Sequence, residues 1–270
     1  RTCGARSCDA RPTRRCAGWS STRPTSAPTD PRGTVLIQEI VAAGVRLAAD
    51  RPALITDTST LSFTELAAAV HADAGTWATV GGPGDGIVVV GDNSAHDVRA
   101  LYSVPAAGRV LTLVNQRLHP DEQARLVDRV DAVAVIGDPD RLDRLRAADD
   151  GAGRRHWLPF PPPGRFPAPA RGDAPGSGRA EAAPGRTSAD PAWLIHTSGT
   201  TGPPKGVPVS PANLTASLDA GHRGRPVEDG DVYLFPFPLC HVAAYNVLLQ
   251  HRHGATVVLT HGFAADTVLE

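Results

Sequence analysis

The sequence predicts an α/β protein with mostly parallel sheets flanked by helices, and two observations carry that expectation. Apolar runs at 87–90 (Ile-Val-Val-Val), 110–114 (Val-Leu-Thr-Leu-Val) and 132–136 (Ala-Val-Ala-Val-Ile) alternate with segments of helical pattern. Strands that are apolar on both faces need cover on both faces, which helices between parallel strands supply. At 270 residues the chain is also long enough to bury a sizeable core.

Taken in order, residues 1–32 are rich in Arg, Thr, Ser and Pro without an apolar period, and are expected to be a disordered or non-native segment. From there Val35, Ile37, Ile40, Val41, Val45 and Leu47 recur at helical spacing, predicting an amphipathic helix that ends near Asp50 and Pro52. Residues 53–56 and 61–63 read as short strands around a turn, and Thr64 is the expected cap of a helix carrying Glu65, Leu66, Ala69 and Val70. The glycine-rich run at 81–86 precedes a strand, whereas a dinucleotide loop follows one, so it is read as a tight loop. A helix is expected over 95–107. Another opens at Pro120, with Asp121 and Glu122 placed to favour the helix dipole. Residues 148–190, dense in Pro, Gly, Ala and Arg, read as a flexible linker. Beyond it, Ser210 before Pro211 marks a helix start, 231–235 and 255–260 read as strands, and a last helix begins at Phe263.

Composition excludes several function classes. Basic and acidic residues balance at 27 and 28, which gives no reason to expect nucleic acid or an anionic membrane as the partner. No apolar run is long enough to span a bilayer and no signal-peptide core precedes the patterned chain, so a cytoplasmic location is expected. Cys3, Cys8 and Cys16 lack the close pairs of a structural zinc site, and Cys240 stands apart from them, so neither zinc nor a disulfide framework is expected. His251-x-His253 has no carboxylate or thiol beside it and is read as a solvated helix end. A chain that lacks methionine and starts at Arg1 is expected to be a fragment or a conceptual translation with an uncertain start.

The chemistry concentrates at residues 193–209, which read as strand, loop, strand. Trp193, Leu194 and Ile195 lead into Thr197, Ser198, Gly199, Thr200, Thr201 and Gly202, and Lys205 follows, closed by Gly206. Glycines let main-chain N–H groups approach phosphate oxygens, hydroxyls add donors and a lysine adds a mobile positive charge. The order differs from the common nucleotide-binding P-loop, because Lys205 precedes its glycine and an apolar strand follows where a helix would start.

The stretch Thr-Ser-Gly-Thr-Thr-Gly-Pro-Pro-Lys-Gly at 197–206 resembles, at every position, the phosphate-loop signature of the adenylate-forming superfamily. That group comprises the AMP-dependent synthetases and ligases, including fatty-acid–CoA ligases and other acyl-CoA synthetases. Further likenesses are Ser-Phe-Thr-Glu-Leu at 62–66, Asn-Gln-Arg-Leu at 115–118, Asn213-Leu214 after the loop, and Phe-Pro-Leu-Cys-His-Val-Ala-Ala at 237–244. In the last, Cys240 and Ala244 depart from the family pattern, and a methyl at 244 in place of glycine is expected to narrow a pocket. The resemblance implies a partial N-terminal domain of such an enzyme. Its expected divisions are a first α/β part at 33–147, the linker at 148–190, and a truncated part with phosphate loop and acyl pocket at 191–270.

The resemblance further implies a reaction in which a carboxylate attacks the α-phosphorus of ATP with loss of pyrophosphate, and the acyl group then passes to the thiol of coenzyme A. Implied site residues are Lys205 and Thr200 for catalysis and Thr197, Ser198, Gly199, Thr200, Thr201, Gly202, Lys205 and Gly206 for the nucleotide. Thr200 is also implied for Mg2+, and His241 for the carboxylic acid. A histidine offers no negative charge to a buried amine, so an amino-acid substrate is disfavoured. The family's ribose-binding aspartate, its metal-site acid and its C-terminal lysine have no counterpart here, so the chain is expected to be inactive alone, with a cut sheet edge that aggregates, forms a homo-oligomer or takes a partner. A non-catalytic nucleotide- or partner-binding remnant and an unrelated kinase-like phosphate binder are the competing readings.

Overall fold

The computed structural model describes residues 36–160, 186–197, 204–263 and 265. The expectations for 1–32, for most of the linker, for the centre of the phosphate loop and for a helix after Phe263 lie outside the described residues.

Helix α1 (Ile37–Ala48) buries Ile37, Ile40, Val41 and Gly44 along one stripe, while Leu47, expected on that stripe, is 64% exposed. Strands β1 (Pro52–Ile55) and β2 (Thr60–Ser62) form an antiparallel hairpin, and α2 (Phe63–Ala78) follows directly. Its cap is Ser62 rather than Thr64. The Ser62 hydroxyl accepts from the Glu65 N–H at 3.2 Å and the Glu65 carboxylate accepts from the Ser62 N–H at 2.8 Å, while the Thr64 hydroxyl donates to the Ala49 carbonyl. The glycine-rich run makes the tight loop expected of it. Gly81 and Gly84 take positive φ, and the Asp85 carboxylate holds the Gly82 N–H at 2.7 Å.

Next come β3 (Gly86–Val90), α3 (Ala95–Ala106), β4 (Val110–Leu113), α4 (Pro120–Arg129), β5 (Ala132–Gly137) and α5 (Pro139–Ala148). Strand β6 (His156–Pro159) falls inside the stretch read as linker and pairs in parallel with β5. Strands β7 (Trp193–Thr197) and β8 (Lys205–Val209) form an antiparallel hairpin, and α6 (Pro211–Gly224), β9 (Val232–Phe235), α7 (Tyr245–Arg252) and β10 (Thr256–Leu259) complete the described chain. Ser210 caps α6 as expected, accepting from the Asn213 N–H at 3.2 Å.

Two sheets result. One runs β2-β1-β10-β9, and the other β6-β5-β3-β4-β7-β8; all neighbours are parallel except the β1–β2 and β7–β8 hairpins. Strand β3 is covered on both faces. Ile87 and Val89 join the core with Val98 and Leu101 of α3, whereas Val88 and Val90 join Val127 of α4 and Leu142 and Leu145 of α5. The first of these cores also takes Leu54, Phe235 and Val257 of the smaller sheet, so the two sheets share one apolar interior. Because the chain leaves β3 toward β4 and leaves β5 toward β6, a crevice opens at the carboxyl ends of β3 and β5, where ligands of open α/β sheets collect.

His251 is not at a solvated helix end: its side chain is fully buried between α3 and β1. The Ala53 carbonyl, 2.9 Å from Nε2, can only accept, so Nε2 carries the proton and the Tyr102 O–H donates to Nδ1 at 2.7 Å. Burial pulls the imidazole pKa down to about 4. His253 instead stacks on His222, with ring centroids 4.0 Å apart.

Candidate functional site

The phosphate-loop stretch is the turn of the β7–β8 hairpin. Thr197 ends β7 opposite Lys205, which begins β8, and both are exposed at the hairpin mouth. The Thr197 hydroxyl approaches the Lys205 carbonyl at 3.4 Å, and Arg129 of α4 donates to the Pro204 carbonyl at 2.5 Å. Gly206 sits across from His196, and a Cβ built on it would meet the Leu194 side chain at 3.1 Å, so the strand takes glycine there with least strain. Ser198, Gly199, Thr200, Thr201 and Gly202 lie outside the described residues. The hairpin thus presents an ammonium and a hydroxyl together, a donor set that suits phosphate oxygens.

The strand leading to that mouth has a second role. Leu194 and Ile195 of β7 wall a small, partly open apolar cavity with Leu113 of β4, and its other wall is Leu239, His241 and Ala244. His241 lies ahead of the short 3-10 turn Val242–Ala244 that enters α7, with its side chain exposed. Ala244 is 1% exposed, so its methyl fills space that a glycine would leave to the cavity. Cys240 also lines this cavity, half-buried, its thiol pushed up to about 11 by burial. The fold therefore brings His241 and the phosphate hairpin, some forty residues apart in sequence, to one place.

Some residues at this place were not singled out from the sequence. His196 points neither ring nitrogen at a hydrogen-bond partner, and burial, helped by Arg129, lowers its pKa. Asn93 and Asp97 occupy the crevice at the end of β3. Asp97, 2% exposed, accepts from the Ser94 N–H at 2.8 Å and hydroxyl at 2.7 Å, and burial raises its pKa to about 6. Asn93 follows an apolar strand in Gly-Asp-Asn-Ser, a turn signal visible in the sequence. No group of three or more metal-ligating side chains occurs among the described residues, and no helix among them is long and apolar enough to cross a membrane.

Comparison with known proteins bears on the family and the fold. The family model of the AMP-binding enzymes matches residues 42–270. The sulfoacetate–CoA ligase of Cupriavidus necator is 29% identical over 250 residues, covering 89% of this chain and 48% of that protein. The long-chain-fatty-acid–CoA ligase FadD13 of Mycobacterium tuberculosis is 26% identical over 194 residues, covering 68% of this chain and 36% of that protein. The chain spans less than half the length of these relatives. Among solved structures, the N-terminal domain of FACL13 from M. tuberculosis superposes with a TM-score of 0.72 at 21% identity, covering 87% of this chain and 59% of that one. VinN superposes at 0.71 and 22% identity, covering 83% and 56%. VinN is also known in complex with L-aspartate, so the shared fold alone does not choose the substrate. With the family model spanning most of its length, the chain belongs to the AMP-binding enzyme family.

Proposed function

We propose that this chain supplies the ATP-phosphate and carboxylate sites of an acid–CoA ligase of the fatty-acid or a related carboxylate type. In that reading a carboxylate oxygen attacks the α-phosphorus of ATP, pyrophosphate leaves with the electron pair of the broken bond, and the acyl group then passes to the deprotonated thiol of coenzyme A as AMP leaves with the electrons of the broken C–O bond. The supporting observation is that strand β7 carries Thr197 at its tip and walls the His241 cavity with Leu194 and Ile195. A carboxylate in that cavity would lie along the strand that leads to the phosphates.

Lys205 and the hydroxyls of Thr197, Ser198, Thr200 and Thr201 are the groups assigned to the phosphates, where charge builds as pyrophosphate departs. Gly199, Gly202 and Gly206 let the backbone approach. Mg2+ on the ATP phosphates would supply further charge neutralisation, and Thr200 is the residue assigned to it. His241 is assigned to the carboxylic acid. With no acidic side chain among the described residues that line the cavity, nothing there would pair with a substrate ammonium, which favours acids without an α-amine.

Equilibrium binding of ATP to the wild-type chain and to Lys205→Ala tests the nucleotide half. The variant should bind at least about tenfold more weakly, the worth of one charge-assisted hydrogen bond. Equilibrium binding of simple carboxylates and of amino acids to the ATP-loaded chain tests the acid half. An ATP affinity indifferent to Lys205, or binding of amino acids and not of simple carboxylates, would overturn the assignment.

A further inference from the structure

We propose that Asn93 is a positioning residue for the carboxylate pocket, setting the place of the segment that carries His241. This rests on the reading of the His241 cavity given above.

Asn93 sits just beyond β3 at the crevice of the larger sheet, 5% exposed, with φ at 55°. A left-handed backbone costs a side-chain-bearing residue least when it is asparagine, and a glycine would serve as well if the turn were all that mattered. The amide does more. Its Nδ2 group donates to the Phe237 carbonyl at 2.7 Å and to the Thr260 carbonyl at 3.1 Å, and its Oδ1 accepts from the Leu239 N–H at 3.0 Å. Phe237 and Leu239 follow β9 and bracket Pro238, while Thr260 follows β10. One side chain thereby joins the loop of one sheet to the exits of two strands of the other.

The connection to His241 is short. With the carbonyl of Phe237 and the N–H of Leu239 both held, the Pro238 peptide between them is fixed, and the Pro238 carbonyl accepts the His241 N–H at 3.3 Å. Leu239, whose N–H is on Asn93, walls the same cavity as His241. The loop presenting Asn93 is itself pinned, since Asp97 holds both the N–H and the hydroxyl of Ser94. Asn93 touches neither of the assigned ligands and acts through Leu239 and His241.

Two variants separate positioning from folding. Asn93→Gly keeps the left-handed turn and removes all three hydrogen bonds. Asn93→Asp keeps the shape and the acceptor for Leu239, but turns a carboxylate toward two carbonyls. Each is titrated, beside the wild type, with ATP and with a panel of straight-chain carboxylates, and the alkylation rate of Cys240 by iodoacetamide is followed by peptide mass. The expected result is a loss of carboxylate affinity on the order of tenfold, the worth of one or two net hydrogen bonds. ATP affinity should stay unchanged, and Cys240 should be alkylated faster. Variants that lose ATP and carboxylate affinity in parallel would show general loosening and overturn the proposal, as would variants that bind both like the wild type. A wild-type chain that binds none of the carboxylates would overturn the pocket reading itself, an outcome seen without any variant.

Discussion

Replacing Asp97 with Asn removes a buried charge while keeping an oxygen to accept from Ser94, and the structure sets the size of the effect. The folded chain raises the Asp97 pKa from 3.8 to about 6, because burial penalises the carboxylate more than its Ser94 hydrogen bonds favour it, with Asp138 and Asp92 adding repulsion. At about 1.4 kcal/mol for each unit of pKa, that difference is about 3 kcal/mol. The native state holds this proton more tightly than the unfolded chain, so stability falls as pH rises from about 4 to about 6 and stays lower above. His251 acts in the opposite sense. Its pKa drops from 6.5 to about 4, so the unfolded chain binds the proton first and stability rises across nearly the same interval, again by about 3 kcal/mol. In the wild type the two slopes largely cancel. In Asp97→Asn the Asp97 slope is gone while that of His251 remains, so the variant should match the wild type near pH 4 and exceed it by about 3 kcal/mol at pH 8. Urea midpoints followed by tryptophan fluorescence at several pH values measure this directly. A variant no more stable than the wild type at pH 8, or one with an unchanged pH profile, would refute the reasoning.

Tyr102→Phe leaves Nδ1 of the buried His251 without its donor and should cost about 1–3 kcal/mol, read as a lower urea midpoint. Arg109, 4% exposed, donates to the carbonyls of Ala78, Val80, Gly81 and Ala107. Lysine cannot reproduce that planar fork, so Arg109→Lys should lose about 2–3 kcal/mol despite keeping the charge, measured the same way. Ala244→Gly should enlarge the cavity beside His241 and shift carboxylate preference toward bulkier acids in equilibrium binding titrations, at a stability cost of about 1 kcal/mol.

The parts of the fold that follow from local pattern were legible in the sequence. Strands β3, β4 and β5 are apolar on both faces, and their helices begin at Ser94 or at Pro120, signals that leave little room for another reading. Helix α5 and strand β6 were not legible. Leu142 and Leu145 are the only buried residues of α5, and β6 is a short edge strand with no fully buried residue. The buried setting of His251 could not be read either, because its partners Ala53 and Tyr102 come from distant parts of the chain. At the candidate site, Lys205, Thr197 and His241 announced themselves through motifs. Asn93 did not, since its bonds reach Phe237, Leu239 and Thr260, well over a hundred residues away, and spacing along the chain carries no trace of them.

The hairpin that carries Lys205 is fastened to its sheet at one end. Strand β7 pairs with β4 through a single register position, Leu111 with Trp193, while its pairing with β8 runs on from Trp193 to Thr197. Trp193 is also moored by its indole N–H to the Leu101 carbonyl at 3.0 Å. Past that mooring the two strands run on with no further ladder pairing to β4 among the described residues, and at the far end Arg129 donates to the Pro204 carbonyl. A load at the tip would therefore act as a torque about Trp193. Strain at the tip would thus reach the parallel sheet through the one rung at Trp193, through the apolar packing of Ile195 and Val209, and through the guanidinium of Arg129.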